Sequence, residues 1–298
     1  MEQRKTVYRH SVATRATHWL FFLAFLALVS SGLQIFNAAP YLDASDKSDR
    51  HHRVLSIDAP REGVGTTTIL GRTFTTTGWL GWTDDGMGGK TTRAFPGWIT
   101  IPAYQDLADG RRWHLFFAWI MIVSGLVYIA WALSRGDLKE LAIVPADVPK
   151  LLPMQLYYLR LRKEPPPHGK YNPLQKLAYS VVIFVFAPLI VLSGLALSPG
   201  FDAWFPWLTQ AFGGRQFART WHFVLMLALI GFFLTHLALV LTTGVLNNLR
   251  SILTGWYTSQ GATGSVVTEP VVTANESVGG PALRGARRLG RSAVSNET

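Results

Sequence analysis

Apolar residues in this chain are massed together instead of alternating with polar ones. Four nearly uninterrupted blocks, residues 19–36, 115–133, 177–197 and 221–241, hold most of them. Each block is close to the ~20 residues a helix needs to cross a hydrocarbon layer about 30 Å thick. A soluble core of comparable size would spread its apolar positions at periods of two or 3.6. The massing predicts an all-α membrane protein, a bundle of four transmembrane helices. The first block follows a basic leader containing Arg4, Lys5, Arg9 and Arg15, in the manner of a secretory signal. It continues past Gly32, however, and is read as a retained helix. Pro188 inside the third block predicts a kink.

The intervening segments differ in character. Residues 37–110 are polar, rich in Gly and Thr, and carry Trp79, Trp82, Phe95, Trp98 and Tyr104 among turn-forming sequences. A connection of that length has structure of its own, so an extramembrane cap between helices 1 and 2 is expected, able to dock a partner. Residues 135–173 read as a basic loop, and 199–214 as a short turn. Residues 1–257 thus form the membrane domain, and 258–298, dominated by Gly, Ser, Thr and Val, form a disordered tail.

Charge then orients the bundle. Segments 1–16, 135–176 and 245–298 hold 17 of the 28 Lys and Arg residues. The positive-inside rule therefore places both termini in the cytoplasm, with the cap on the outer side of the membrane. The net charge of +10 is explained by this distribution. No basic face interleaved with stacking aromatics appears, which argues against a nucleic-acid partner. The absence of cysteine excludes disulfides, thiolate metal sites, iron–sulfur clusters and a covalently attached c-type haem.

Chemistry concentrates in four histidines. His222 and His236 lie fourteen residues apart on one helix, which brings them within about 40° of one face and about 21 Å apart along the axis. Polar groups at membrane depth are costly and mark function. His18 opens the first helix and His114 the second, so orientation sorts the rings into two levels: His114 with His222, and His18 with His236. Each pair comes from two helices, as bis-histidine coordination of a haem iron requires. Ser-Gly-Leu recurs at 31–33, 124–126 and 193–195. Gly32 and Gly125 share a face with His18 and His114 respectively but sit toward the other level. They either admit a porphyrin edge or serve as close-packing small residues; Gly194 is read as packing. Arg15, Arg111, Arg112 and Arg219 stand at helix ends. Arg112 and Arg219 are candidates to pair with haem propionates, the alternative being headgroup anchors. His10, His51, His52 and His168 read as solvated.

The segments TRATHW at 14–19, RRWH at 111–114, and the histidines of RTWHF and LTHLALV resemble the di-haem cytochrome b subunits of bacterial respiratory oxidoreductases. That family includes the prokaryotic cytochrome b561, Ni/Fe-hydrogenase cytochrome b, formate dehydrogenase gamma and thiosulfate reductase cytochrome b groups. The resemblance implies two non-covalent b-type haems, a quinone site near the inner haem and a periplasmic redox subunit as partner, in a lipid-embedded subunit that is not catalytic alone. Lys170-Tyr171-Asn172 with Gln175 resembles the start of the third helix in formate dehydrogenase gamma subunits, which makes Asn172 and Gln175 quinone-binding candidates. Leu174 departs from the glycine of that pattern, and Asn172 before Pro173 equally fits a helix cap. The long cap resembles cytochromes that accompany a molybdopterin oxidoreductase. A homo-oligomer is compatible with all of this. A proton or solute transporter using the histidines as a relay is the alternative.

Overall fold

The computed structural model describes residues 5–136, 138–169 and 171–259. Four helices long and apolar enough to cross a membrane run over Val12–Asn37, Leu107–Arg135, Pro173–Ala196 and Arg215–Thr242. Together with the family membership established below, they make this a multi-pass membrane protein. The first span starts earlier than its apolar block because Ser11 caps it, its hydroxyl accepting from the Thr14 amide at 3.2 Å. Asp106 caps the second, accepting from Asp109 N at 2.9 Å. Residues 107–110 therefore belong to that span, and the cap ends at Asp106. The third span is continuous, and a π-helical turn at Val182–Phe186 ends two residues before Pro188. A proline cannot donate to the ladder and crowds the carbonyl four residues back, and the wider turn accommodates that defect.

The spans approach as two pairs, first with second and third with fourth. Aromatic side chains bridge the space between the pairs: Phe22 and Phe25 meet Phe233 at ring distances of 6.1 and 5.5 Å, and Phe36 meets Phe223 at 4.9 Å.

The cap is built of β-structure. Strands β2 (Tyr41–Asp43), β3 (Arg53–Arg61), β4 (Val64–Ile69) and β5 (Arg72–Thr75) form an antiparallel meander in that order, and β6 (Gly81–Asp84) pairs with β7 (Lys90–Arg93). Thr66 faces Thr75 and Thr68 faces Thr73 across the β4–β5 ladder, and such β-branched residues suit a pleated surface. The cap's core is shared with the membrane domain: Leu42, Ile57 and Ala94 cluster with Phe36 from the first span, and Phe223 from the fourth packs against them. Asn37 accepts from Phe95 N at 2.7 Å, and the Thr220 hydroxyl donates to the Asp43 carbonyl at 2.7 Å. The buried Arg93 donates to the carbonyls of Asp85 and Ala103, to Thr100 Oγ1 and to Gln34 Oε1 of the first span at 2.8–3.1 Å.

At the opposite end, β1 (Lys5–Tyr8) pairs antiparallel with β8 (Trp256–Ser259), so the two ends of the membrane domain are tied together. Gly255, with φ +90°, sits where a Cβ would come within 2.6 Å of the Tyr8 ring. Thr258 and Ser259, assigned from composition to a disordered tail, thus belong to a strand; the rest of that tail, 260–298, lies outside the described residues.

The segment read as a basic loop also folds. Short helices at Leu138–Leu141 and Leu151–Tyr158, with a 3-10 turn at Pro145–Lys150, pack near the start of the third span with Leu141 and Met154 buried. Their apolar positions are too few to register in an average over the segment. Asp147 accepts from Lys176 Nζ at 3.0 Å, and that bond holds its carboxyl below the usual carboxylate range.

Two tests follow from these contacts. Arg93→Ala leaves several buried acceptors unpaired and is expected to cost about 3 kcal/mol, read as a lower melting temperature in detergent and faster proteolysis of the cap. Lys90→Ala, on the exposed side of the same strand, stays within about 0.5 kcal/mol. The Asp147 contact, with a depressed folded-state pKa, contributes above the unfolded value of about 3.9 and is lost as pH falls through the lower folded-state value. Amide protection over residues 143–158, taken relative to the intrinsic exchange rate at each pH, should fall on acidification in the native protein, and be already low and independent of pH over that window in Asp147→Asn.

Candidate functional site

Four imidazoles meet in the space between the two helix pairs. His114 and His222 stand with ring centres 6.2 Å apart near the cap, and His18 and His236 stand 6.4 Å apart near the paired termini. The helical repeat accounts for the two depths: fourteen residues separate the rings of the fourth span.

At the cap side the rings are held by their outer nitrogens. His114 Nδ1 lies 3.1 Å from Ser31 Oγ, and His222 Nδ1 lies 2.9 Å from Ser193 Oγ. Both serines are fully buried, and each hydroxyl directs its proton to a backbone carbonyl: Ser31 to Ala27 at 2.6 Å, Ser193 to Ile190 at 3.0 Å. An oxygen whose hydrogen is committed in this way accepts, so Nδ1 carries the proton in both rings and Nε2 presents a lone pair. The adjoining glycines set the clearance. A Cβ at Gly32 would lie 3.4 Å from His114 Cε1, and one at Gly194 would lie 3.3 Å from His222 Cε1. Gly194, read from the sequence as ordinary packing, therefore seats a ring. A Cβ at Gly125 would lie 3.9 Å from the Phe21 ring and within 4 Å of no histidine, and among the described residues Ser124 donates only to the carbonyls of Ile120 and Met121.

The termini-side pair is dressed differently. His18 Nδ1 is buried without a partner among the described residues, and so are Arg15 Nε and Trp19 Nε1 within the same turn. Arg15 also donates to the Leu253 carbonyl at 2.6 Å.

The arginines named from the sequence do not converge on the rings. Arg112 pairs with Asp109 at 2.9 Å with most of its side chain exposed. Arg219, one turn before His222, turns toward the cap, where it donates to the Ala39 carbonyl and stacks over Phe36 and Tyr41. Asn172 and Gln175 form a reciprocal capping box: Asn172 Oδ1 accepts from Gln175 N at 2.9 Å, and Gln175 Oε1 accepts from Asn172 N at 3.1 Å. Asn172 Nδ2 also donates to Tyr158 Oη at 3.1 Å. Lys170 lies outside the described residues. His52 bonds Asp49 at 2.8 Å on the cap surface.

Comparison with known proteins decides the kind of site. The chain matches the prokaryotic cytochrome b561 family over residues 9–255. The chain belongs to that family. The cytochrome is 28% identical over 245 residues to an Azospira oryzae protein named as a protein-methionine-sulfoxide reductase subunit, YedZ1, covering 79% of this chain and 92% of that one. It is 25% identical over 136 residues to a Bradyrhizobium diazoefficiens protein named as a Ni/Fe-hydrogenase B-type cytochrome subunit, covering 42% and 55%. Family membership makes this a membrane haem-binding electron-transfer protein and implies b-type haem.

The residues fit that group. A metal–imidazole bond of about 2 Å plus about 1 Å from nitrogen to ring centre puts two rings on one iron about 6 Å apart, and both pairs have that separation. With no cysteine in the cytochrome, imidazole is the strongest haem-iron donor that the spans offer at these positions. Gly194→Val would drive a branched side chain into the place of the His222 ring and should lower haem content per polypeptide. Gly231→Val, where a Cβ meets nothing within 4 Å, should leave it unchanged; pyridine haemochrome assay of both variants decides.

Proposed function

We propose that this cytochrome is the membrane electron-transfer subunit of a quinone-linked oxidoreductase, with two b-type haems. His114 and His222 hold one near the cap, and His18 and His236 hold the other near the termini. The observation that carries the reading is the pair of imidazole couples, each at iron-bridging separation, stacked at two depths. When bound, the haems supply reversible one-electron Fe(III)/Fe(II) chemistry. Two imidazoles per iron leave no open coordination position, so the chain moves electrons and performs no substrate chemistry of its own. Phe22, Phe25 and Phe233 pack between the spans and keep water out of the space joining the two levels.

The cap supplies the partner's seat. It carries exposed Leu70, Trp79 and Met87 at its tips while its base is fixed on Phe36 and Phe223. The relatives are named as subunits of a reductase and of a hydrogenase, which supports a separate redox subunit docked here. The charge distribution favours an inner-membrane orientation with cytoplasmic termini and a periplasmic cap, and a molybdopterin-dependent partner fits a cap of this size. Quinone exchange is assigned to the termini side, near Asn172 and Gln175. Their polar groups cap the third helix, so the proposal there is that they shape the pocket wall beside Tyr158.

In His222→Ala, dithionite reduction should show b-type bands of reduced amplitude, with the cap-side haem lost and the other retained. His236→Ala should lose the other. Purified native protein without reducible b-type bands, or simultaneous loss of both haems in each single variant with the fold intact, overturns the pairing.

A further inference from the structure

Two of the three Ser-Gly pairs grip histidines of the same couple, and the third grips none. Ser31 and Gly32 meet the His114 ring from the first span, while Ser193 and Gly194 meet the His222 ring from the third. From this arrangement we infer that Ser31 and Ser193 are positioning residues that set the reduction potential of the cap-side haem, and that the Ser-Gly motif exerts no such control on the termini-side haem. This rests on the bis-histidine reading above and extends it to residues that touch only the ligands.

The physical argument runs through the imidazole. An acceptor on Nδ1–H adds electron density to the ring and raises the basicity of Nε2. A more basic ligand favours ferric over ferrous iron and lowers the potential. The serine oxygen is a stronger acceptor than an isolated hydroxyl because its own proton is given to a carbonyl, and each bond in such a chain polarises the next. Both ligands of the cap-side iron receive this treatment, from opposite sides and from different helices. At the other level His18 Nδ1 has no oxygen to donate to among the described residues, and Ser124, the third copy of the motif, spends its hydroxyl on its own helix. Losing a serine hydroxyl therefore removes the acceptor that stands at hydrogen-bond distance from each Nδ1.

The test is an optical redox titration of the full-length protein in detergent or nanodiscs, with the cap-side component identified as the one missing in His222→Ala. Ser31→Ala and Ser193→Ala should each raise that component's potential. At a fixed ambient potential the ratio of reduced to oxidised haem should rise about threefold to tenfold, tenfold corresponding to about 59 mV for one electron. The other component should stay where it is. Ser124→Ala should move neither, and Ser193→Thr, which keeps a hydroxyl, should remain near the native value. Two haems with unmoved potentials in both alanine variants overturn the inference and leave the bis-histidine reading standing. Native protein with fewer than two haems overturns that reading first. If an alanine variant loses the cap-side haem, retention in Ser193→Thr supports the hydroxyl's role, whereas loss in the threonine variant as well refers the effect to packing and counts against it.

Discussion

An imidazole at membrane depth has two nitrogens to satisfy, and no water to satisfy them with. The structure of this cytochrome depends on how that requirement is met at the cap-side couple. Ser31 and Ser193 take the proton-bearing nitrogens of His114 and His222, which leaves the bare nitrogen of each ring uncommitted while the ring centres stand 6.2 Å apart. Each serine lies on a different helix from the histidine it binds. The hydrogen bonds therefore also join first span to second and third to fourth, the two close pairs of the bundle. Glycine beside each serine permits the approach, since any Cβ there would press on Cε1 of the ring. Ring placement and helix packing thus make the same demand at these positions: a small residue beside a hydroxyl.

The cap answers a different problem. The membrane ends of the first and fourth spans carry Gln34, Asn37, Arg219 and Thr220, polar groups that a bare helix end would leave to headgroups. Instead they are bonded to Arg93, Phe95, Ala39 and Asp43 of the cap. The outermost turns of two different spans are fixed by one β-structure, and His222 follows Arg219 within a single turn. The turn that leads into His222 is thereby bonded to the cap.

Much of this was legible in the sequence, for identifiable reasons. The four spans were, because hydrocarbon imposes a long apolar run on any helix that crosses it. The levels of the histidines were, because alternating helix direction and a fixed rise per residue determine depth without knowledge of packing. The β-character of the cap was not, since its strands are short, Thr-rich and interrupted by glycine, and strand propensity is set by neighbours. Arg112 and Arg219 were both placed near propionates on position alone. One pairs with Asp109 and the other turns to Ala39, because a guanidinium takes whichever acceptors the fold supplies, and these lay on a nearby turn and on the cap. Asn172 fitted both a quinone wall and a helix cap, and its oxygen is engaged as the cap.

The Ser-Gly-Leu repeats show most clearly where local sequence stops being informative. The three copies are identical in letters and all lie within spans. Their hydroxyls all return a proton to their own helix, as serines in apolar helices commonly do. What distinguishes Ser31 and Ser193 from Ser124 is only whether a ring from the neighbouring helix arrives opposite the oxygen, and that depends on helix rotation. Rotation is decided by packing across the whole pair, including Phe21 against Gly125. One motif therefore clips a histidine ring twice and serves as a packing contact once, from the same three letters.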